Sequence, residues 1–179
     1  MILIVGVFLL GGCFSGALFG EPRVSSCLLC GRISLPAGCG GPSFAGVRIE
    51  NEVGQVYSLE ANANGEFQLE GFSGSAALIY AEKGGVMLAA SLYPVSSNEI
   101  QNFVELNAYT TAQVAVYEAA KELYPEAVFI RDIPNFLVPE DFVALVEEQL
   151  SHCLNPLSSI RVREKALEII DVWFGGHAQ

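Results

Sequence analysis

NANGEFQLEGF, residues 62–72, decides how the middle of this chain is read. Asn64-Gly65 is the favoured pair for a tight hairpin turn, because both residues tolerate positive φ. After it, Phe67 and Leu69 fall on one face of an extended segment, and Glu66, Gln68 and Glu70 on the other. This alternation describes a half-buried strand leaving a turn. It predicts a hairpin with the preceding QVYSLEA, residues 55–61, in which Val56 and then Leu59 face inward.

The same period of two extends in both directions. GVRIE (46–50) places Val47 and Ile49 on one face, with Arg48 and Glu50 opposite. AALIYAEKGG (76–85) and VMLAASLYP (86–94) read as a hairpin about Lys83-Gly84-Gly85, and their near-continuous apolar character predicts strands covered on both faces. QNFVELN (101–107) alternates through Phe103 and Glu105. About seven strands broken by Gly, Asn and Pro make residues 27–107 a small antiparallel β-sandwich.

Beyond Asn107 the period changes from two to 3.6. Thr110 or Thr111 is expected to cap a helix whose stripe is Ala112, Val116, Ala119 and Leu123, ending near Tyr124-Pro125. Pro139-Glu140-Asp141 opens a second, with Phe142, Leu145, Val146, Gln149, Leu150 and Cys153 along one face. Asn155-Pro156 starts a third, carrying Val162, Ala166, Ile169, Ile170 and Trp173, and Gly175-Gly176 stops it. The fold class is therefore α+β: a sandwich at 27–107 and a helical segment at 108–179. Helices this short are marginal alone, so their stripes are expected to dock on the apolar hairpin at 76–93.

GRIS, AGVRIE, SLEANANGEFQLEGF and AALIYAEKGG, in that order, resemble the carboxypeptidase regulatory-like domain, a transthyretin-like sandwich with Ig-like architecture. Gly31, Ile33, Gly46, Val47, Ile49, Asn64, Gly65, Phe67 and Leu69 occupy the positions of the family's pattern. The resemblance implies an accessory module that supports contacts rather than chemistry.

The first twenty residues, MILIVGVFLLGGCFSGALFG, carry no charged side chain. Leu10-Gly11-Gly12-Cys13 resembles the lipobox of bacterial lipoproteins, which implies a signal peptide over 1–12, lipidation of Cys13 and a linker over 13–26. An uncleaved anchor helix and an ordinary secretory signal cut after Ser15-Gly16-Ala17 are the other two readings. All three export the chain, to the cell envelope of a bacterium on the lipoprotein reading. Of the remaining cysteines, Cys27 and Cys30 sit on opposite faces of a strand and precede no helix, so CLLC is not read as a redox pair. Four cysteines allow three pairings, of which Cys30 with Cys39, closing a local loop, is the expected disulfide.

Net charge is −11, with nine basic residues scattered among twenty acids. That pattern argues against nucleic acid as a partner. GFSGS (71–75) has the outline of a nucleophile elbow, but Ser75 stands where a glycine belongs and the stretch lies between strands. His152 reads as a boundary residue and His177 as a terminal one. Phosphate-cradling and metal-ligand spacings are absent, so no cofactor and no enzyme is implied. The expectation is a lipid-anchored structural or protein-binding module whose partners are the membrane and other envelope proteins. Its alternative is a small-ligand or glycan-binding protein, with a site between sandwich and helices and stacking faces from Tyr57, Tyr80, Tyr93, Tyr109 and Tyr124. Mass spectrometry of the membrane-extracted protein should find a diacyl or triacyl mass on Cys13. An intact Met1 there would instead identify an anchor helix.

Overall fold

The computed structural model describes residues 27–95 and 102–175. The lipobox, the linker and His177 lie outside them. Seven strands come first: β1 (Cys27–Ile33), β2 (Gly46–Asn51), β3 (Val56–Glu60), β4 (Glu66–Phe72), β5 (Ala77–Lys83), β6 (Val86–Leu92) and β7 (Asn102–Leu106). Three helices follow: α1 (Ala108–Leu123), α2 (Glu140–Ser151) and α3 (Ile160–Gly175). The strands form two sheets, ordered β4-β1-β7 and β3-β2-β5-β6.

Pairing is mixed, which corrects the all-antiparallel expectation. β7 runs parallel to β1, with Val104 opposite Gly31 and Leu106 opposite Ile33. After β6 the chain crosses to the other sheet and enters beside β1 in the same direction. The other edge of β1 holds β4, antiparallel. This register also reverses the expected facing of β7: Val104 and Leu106 are buried, while Phe103 is exposed.

Asn64-Gly65 does make a tight turn, but not a hairpin. β3 and β4 belong to different sheets, so the turn is a corner. Asn62 organises it: its side-chain oxygen accepts from the backbone of Asn64 and of Glu66, each at 2.9 Å. Gly65 has φ +75°, and a Cβ there would lie 2.4 Å from the Pro42 side chain. The corner leaves β3 free to take its register from β2 alone, with Leu59 opposite Val47 and Tyr57 opposite Ile49. Tyr57 and Leu59 therefore face the interior, and Val56, expected inside, is exposed.

Gly31 shows how closely the sheet is packed. A Cβ at this position would fall 2.5 Å from both the Phe67 ring and the Val104 carbonyl. The ring lies over the bare backbone of the central strand, so no larger residue fits without displacing it.

β5 and β6 are covered on both faces, as their composition predicts. Ile79 and Ala81 share a face with Ile49 and Val47 toward the other sheet, and Tyr80 shares the opposite face with Arg48 and Ala89. That opposite face meets α1. The Ala89 amide, on the free edge of β6, donates to the Thr111 hydroxyl at 3.0 Å. Thr111 is thereby a docking residue and not the cap. Asn107 caps α1, accepting from the Thr110 amide while its own amide donates to the Thr110 hydroxyl, each at 3.0 Å.

α1 is buried nearly all round, because α2 and α3 close over its far side. The expected stripe holds at Ala112, Val116 and Ala119, but Leu123 is exposed, and Thr111, Val114, Ala115 and Tyr117 are buried as well. Gln113 reaches the Phe136 carbonyl at 3.2 Å, holding the 3-10 turn Ile130–Asn135 against the helix. One apolar cluster runs from Leu29 to Ile170 through both sheets and all three helices.

The disulfide joins Cys39 to Cys153, not Cys30 to Cys39. Cys30 is buried in β1, where its thiol donates to the Asn102 carbonyl at 3.5 Å, while Cys39 leaves the sheet on the 3-10 turn Ala37–Cys39. α2 brings Cys153 to that turn across 114 residues of sequence. A loop this long takes much freedom from the unfolded chain when closed, so the Cys39→Ser/Cys153→Ser double variant should lose about 2–5 kcal/mol. Urea unfolding with and without dithiothreitol checks it: reduced wild type should match the variant, and the variant should not respond to reductant.

Candidate functional site

Where the four-stranded sheet and the helical segment part, they leave a cleft of about 550 Å³. One wall is the end of β2, Glu50 and Asn51, with Glu52 and the Ser75-Ala76 loop. The other is α1 and the turn after it, with Tyr117, Lys121, Phe129 and Arg131. Leu78 and Ile130, both buried, line the depth between them, and Tyr93 stands at the side, 42% exposed.

The sheet wall is held by two side chains. Asn51 is buried; its oxygen accepts from the amides of Val53 and Gln55, at 3.1 and 2.8 Å, and its amide donates to the Ser73 carbonyl at 2.6 Å. The Glu52 carboxylate accepts from the Ser75 amide (2.8 Å), the Ser75 hydroxyl (3.0 Å) and the Ala76 amide (3.1 Å). Partial burial opposes its ionisation, but these donors outweigh that, and the carboxyl sits below its ordinary value. GFSGS is thus an anchored loop end, in which the Ser75 hydroxyl and amide both donate to the Glu52 carboxylate.

The helical wall is held by Lys121, whose ammonium donates to the carbonyls of Pro125 and Val128. Asp132 accepts from the Phe129 amide at 2.8 Å and fixes the turn. The Arg131 guanidinium lies 4.7 Å from the centre of the Phe129 ring, stacked on it. Burial raises the Tyr117 phenol, and Glu50, Glu118 and Asp132 add to the shift, so the hydroxyl stays protonated and able to donate.

Of the five tyrosines expected to offer stacking faces, the structure brings only Tyr93 to the cleft. Tyr57 packs at 5.6 Å on Phe72, and its hydroxyl accepts from the Ser73 amide at 3.2 Å. Tyr80 is buried between Arg48, 4.7 Å over its ring, and Glu118, which accepts from its hydroxyl at 3.2 Å. Burial, with Glu118 beside it, raises this phenol strongly. Tyr109 stands exposed in the first turn of α1, and Tyr124 follows the last turn. Tyr117, Phe129 and Arg131 carry no signal in the sequence that marks them for the cleft. Tyr117 lies off the stripe of Ala112, Val116 and Ala119, and EAVFIRDIPN (126–135) has no period to place its side chains.

A second hollow of about 480 Å³ lies beside β1 and β4, with Cys30, Glu66 and Phe103 in its lining. Glu66 is engaged there by Arg32 at 3.0 Å and by the Asn62 amide at 3.2 Å. Among the described residues no three or more His, Cys, Asp or Glu are grouped to hold a metal ion, and no helix is long and apolar enough to cross a membrane. No protein-family model matches the chain, and no curated protein matches it in sequence.

Because the folded Glu52 carboxyl titrates below the ordinary 4.5, its contribution is present above that pH and is lost as pH falls through the folded value. Glu52→Gln should therefore flatten the acid side of the melting-temperature profile. At neutral pH it should cost under about 1 kcal/mol, since the carboxylate is exposed and screened. Thermal melts of both proteins between about pH 3 and pH 7 measure this.

Proposed function

We propose that this chain is an exported, non-catalytic binding protein of a bacterial envelope. It is held at the membrane through acylated Cys13, and it takes a small ligand between its sheets and its helices. The cleft carries this reading. It is concave and apolar in depth, it sits where two structural units meet, and a few polar groups converge on it, the usual form of a small-molecule site. The Cys39–Cys153 bond supports export, since bonds between distant segments persist in oxidising compartments. Two sheets with a common interior, the Asn64-Gly65 corner and the order of β1 to β5 support a transthyretin-like sandwich of the carboxypeptidase regulatory kind.

A structural or protein-binding role is favoured by a different observation. On the helical segment Trp173 meets the Phe136 ring edge-on at 5.8 Å, and their chain neighbours Leu137 and Val172 are 76% and 77% exposed. Exposed apolar groups of this kind suit a partner surface.

Native mass spectrometry of the protein extracted from its own membranes decides between the readings. The ligand reading expects a small bound species that is lost in Ser75→Trp, which fills the cleft from its exposed rim. An empty native protein, or the same species retained by Ser75→Trp, overturns it. A co-purifying protein released by Leu137→Glu/Val172→Glu would favour the protein-binding role.

A further inference from the structure

We infer that the cleft takes a short zwitterionic ligand, an amino acid or dipeptide with free termini, its ammonium toward Glu50 and its carboxylate toward Arg131. The inference rests on the cleft being a binding site and adds the chemistry of what enters it. Most polar groups in the walls already have protein partners: Glu52 holds the Ser75-Ala76 loop, Asn51 closes its own turn, and Lys121 holds two carbonyls. Those remaining are few. Arg131 makes no ion pair among the described residues and only stacks on Phe129. Glu50 has one long contact, from Arg48 at 3.5 Å. The hydroxyls of Tyr93 and Tyr117 make no hydrogen bond to any described residue.

Their placement sets the ligand's chemistry. Glu50 belongs to the sheet wall and Arg131 to the helical wall, so opposite charges face a common space across an apolar depth. A guanidinium presents paired donors that match a carboxylate, and a carboxylate accepts from an ammonium. The two phenols are suited to the peptide group between such ends, since each can donate and accept. Leu78 and Ile130 suit an apolar side chain. A purely anionic ligand would meet the field of a chain carrying −11. A zwitterion meets no such penalty. A sugar would want open aromatic faces, but Tyr117 is buried and the Phe129 ring already carries two cations, Arg131 at 4.7 Å and Lys121 at 5.6 Å from its centre.

Isothermal titration of the full chain in detergent with the dipeptide Ala-Leu tests this. Ala-Leu should bind, and both N-acetyl-Ala-Leu and Ala-Leu amide should bind at least about tenfold more weakly, the loss of one charged partner. Arg131→Ala should weaken Ala-Leu to the level of its amide and leave the amide unchanged. Glu50→Gln should do the same with respect to the acetylated peptide. Equal affinity for free and capped peptides, or an Arg131→Ala loss that ignores the carboxylate, overturns the proposal. If neither Ala-Leu nor L-leucine binds while the native protein carries a species lost in Ser75→Trp, the zwitterion is wrong and the binding site stands. If that species is missing too, both fall.

Discussion

The β5–β6 hairpin has apolar residues on both faces and a free edge at β6, and the remainder of the molecule is arranged to cover it. From Ala77 to Ala81 every residue is buried, although successive side chains point to opposite sides. One side is met by the second sheet. The other requires a helix, and the edge requires a hydrogen-bonding group that a helix backbone does not offer sideways. Thr111 supplies it. Its hydroxyl accepts from the Ala89 amide, which would otherwise be a buried donor without a partner, a defect worth about 1–3 kcal/mol.

Meeting that requirement creates the next one. A helix pressed against β6 on one face and surrounded by apolar residues on the others must itself be covered, and α2 and α3 do so. Each is fastened at its periphery. Arg163 pairs with Glu122 at 2.7 Å between α3 and α1, and Arg161 with Glu148 at 3.0 Å between α3 and α2. These exposed pairs orient the helices more than they stabilise them. The Cys39–Cys153 bond adds a covalent tie from α2 back to the strand-rich part. Helical segment and sheets thus share one core.

The cleft follows from the same arrangement. α1 lies over β6 and not over the full width of the sheet, and Tyr80 of β5 reaches it through Glu118. Glu50 and Leu78, which face each other on the outer side of β2 and β5, sit where that cover ends. The gap is bounded by the last turns of α1 and by the Phe129-Ile130-Arg131 segment, which Gln113 and Asp132 hold in place. Glu50 and Glu52 line its sheet wall and Lys121 and Arg131 its helical wall, although both parts of the chain are net acidic.

Local periodicity was enough to determine the strands, the helices, the inward residues of β2 and β4, and the need of the hairpin for cover on two sides. These depend on which residues lie two or four apart, and the chain carries that information locally. It did not determine which strand pairs with which. Asn64-Gly65 makes the same tight turn whether the next strand returns beside β3 or crosses to another sheet, and only the positions of β1 and β2 choose. That choice also turned Val56 and Phe103 outward, because an alternating strand has no inside until a neighbour supplies one. The Cys39–Cys153 pairing, the second buried face of α1 and the meeting of Glu50 with Arg131 in one cleft were likewise decided by tertiary structure. Each joins residues far apart in sequence, whose proximity exists only once the sheets and helices have packed.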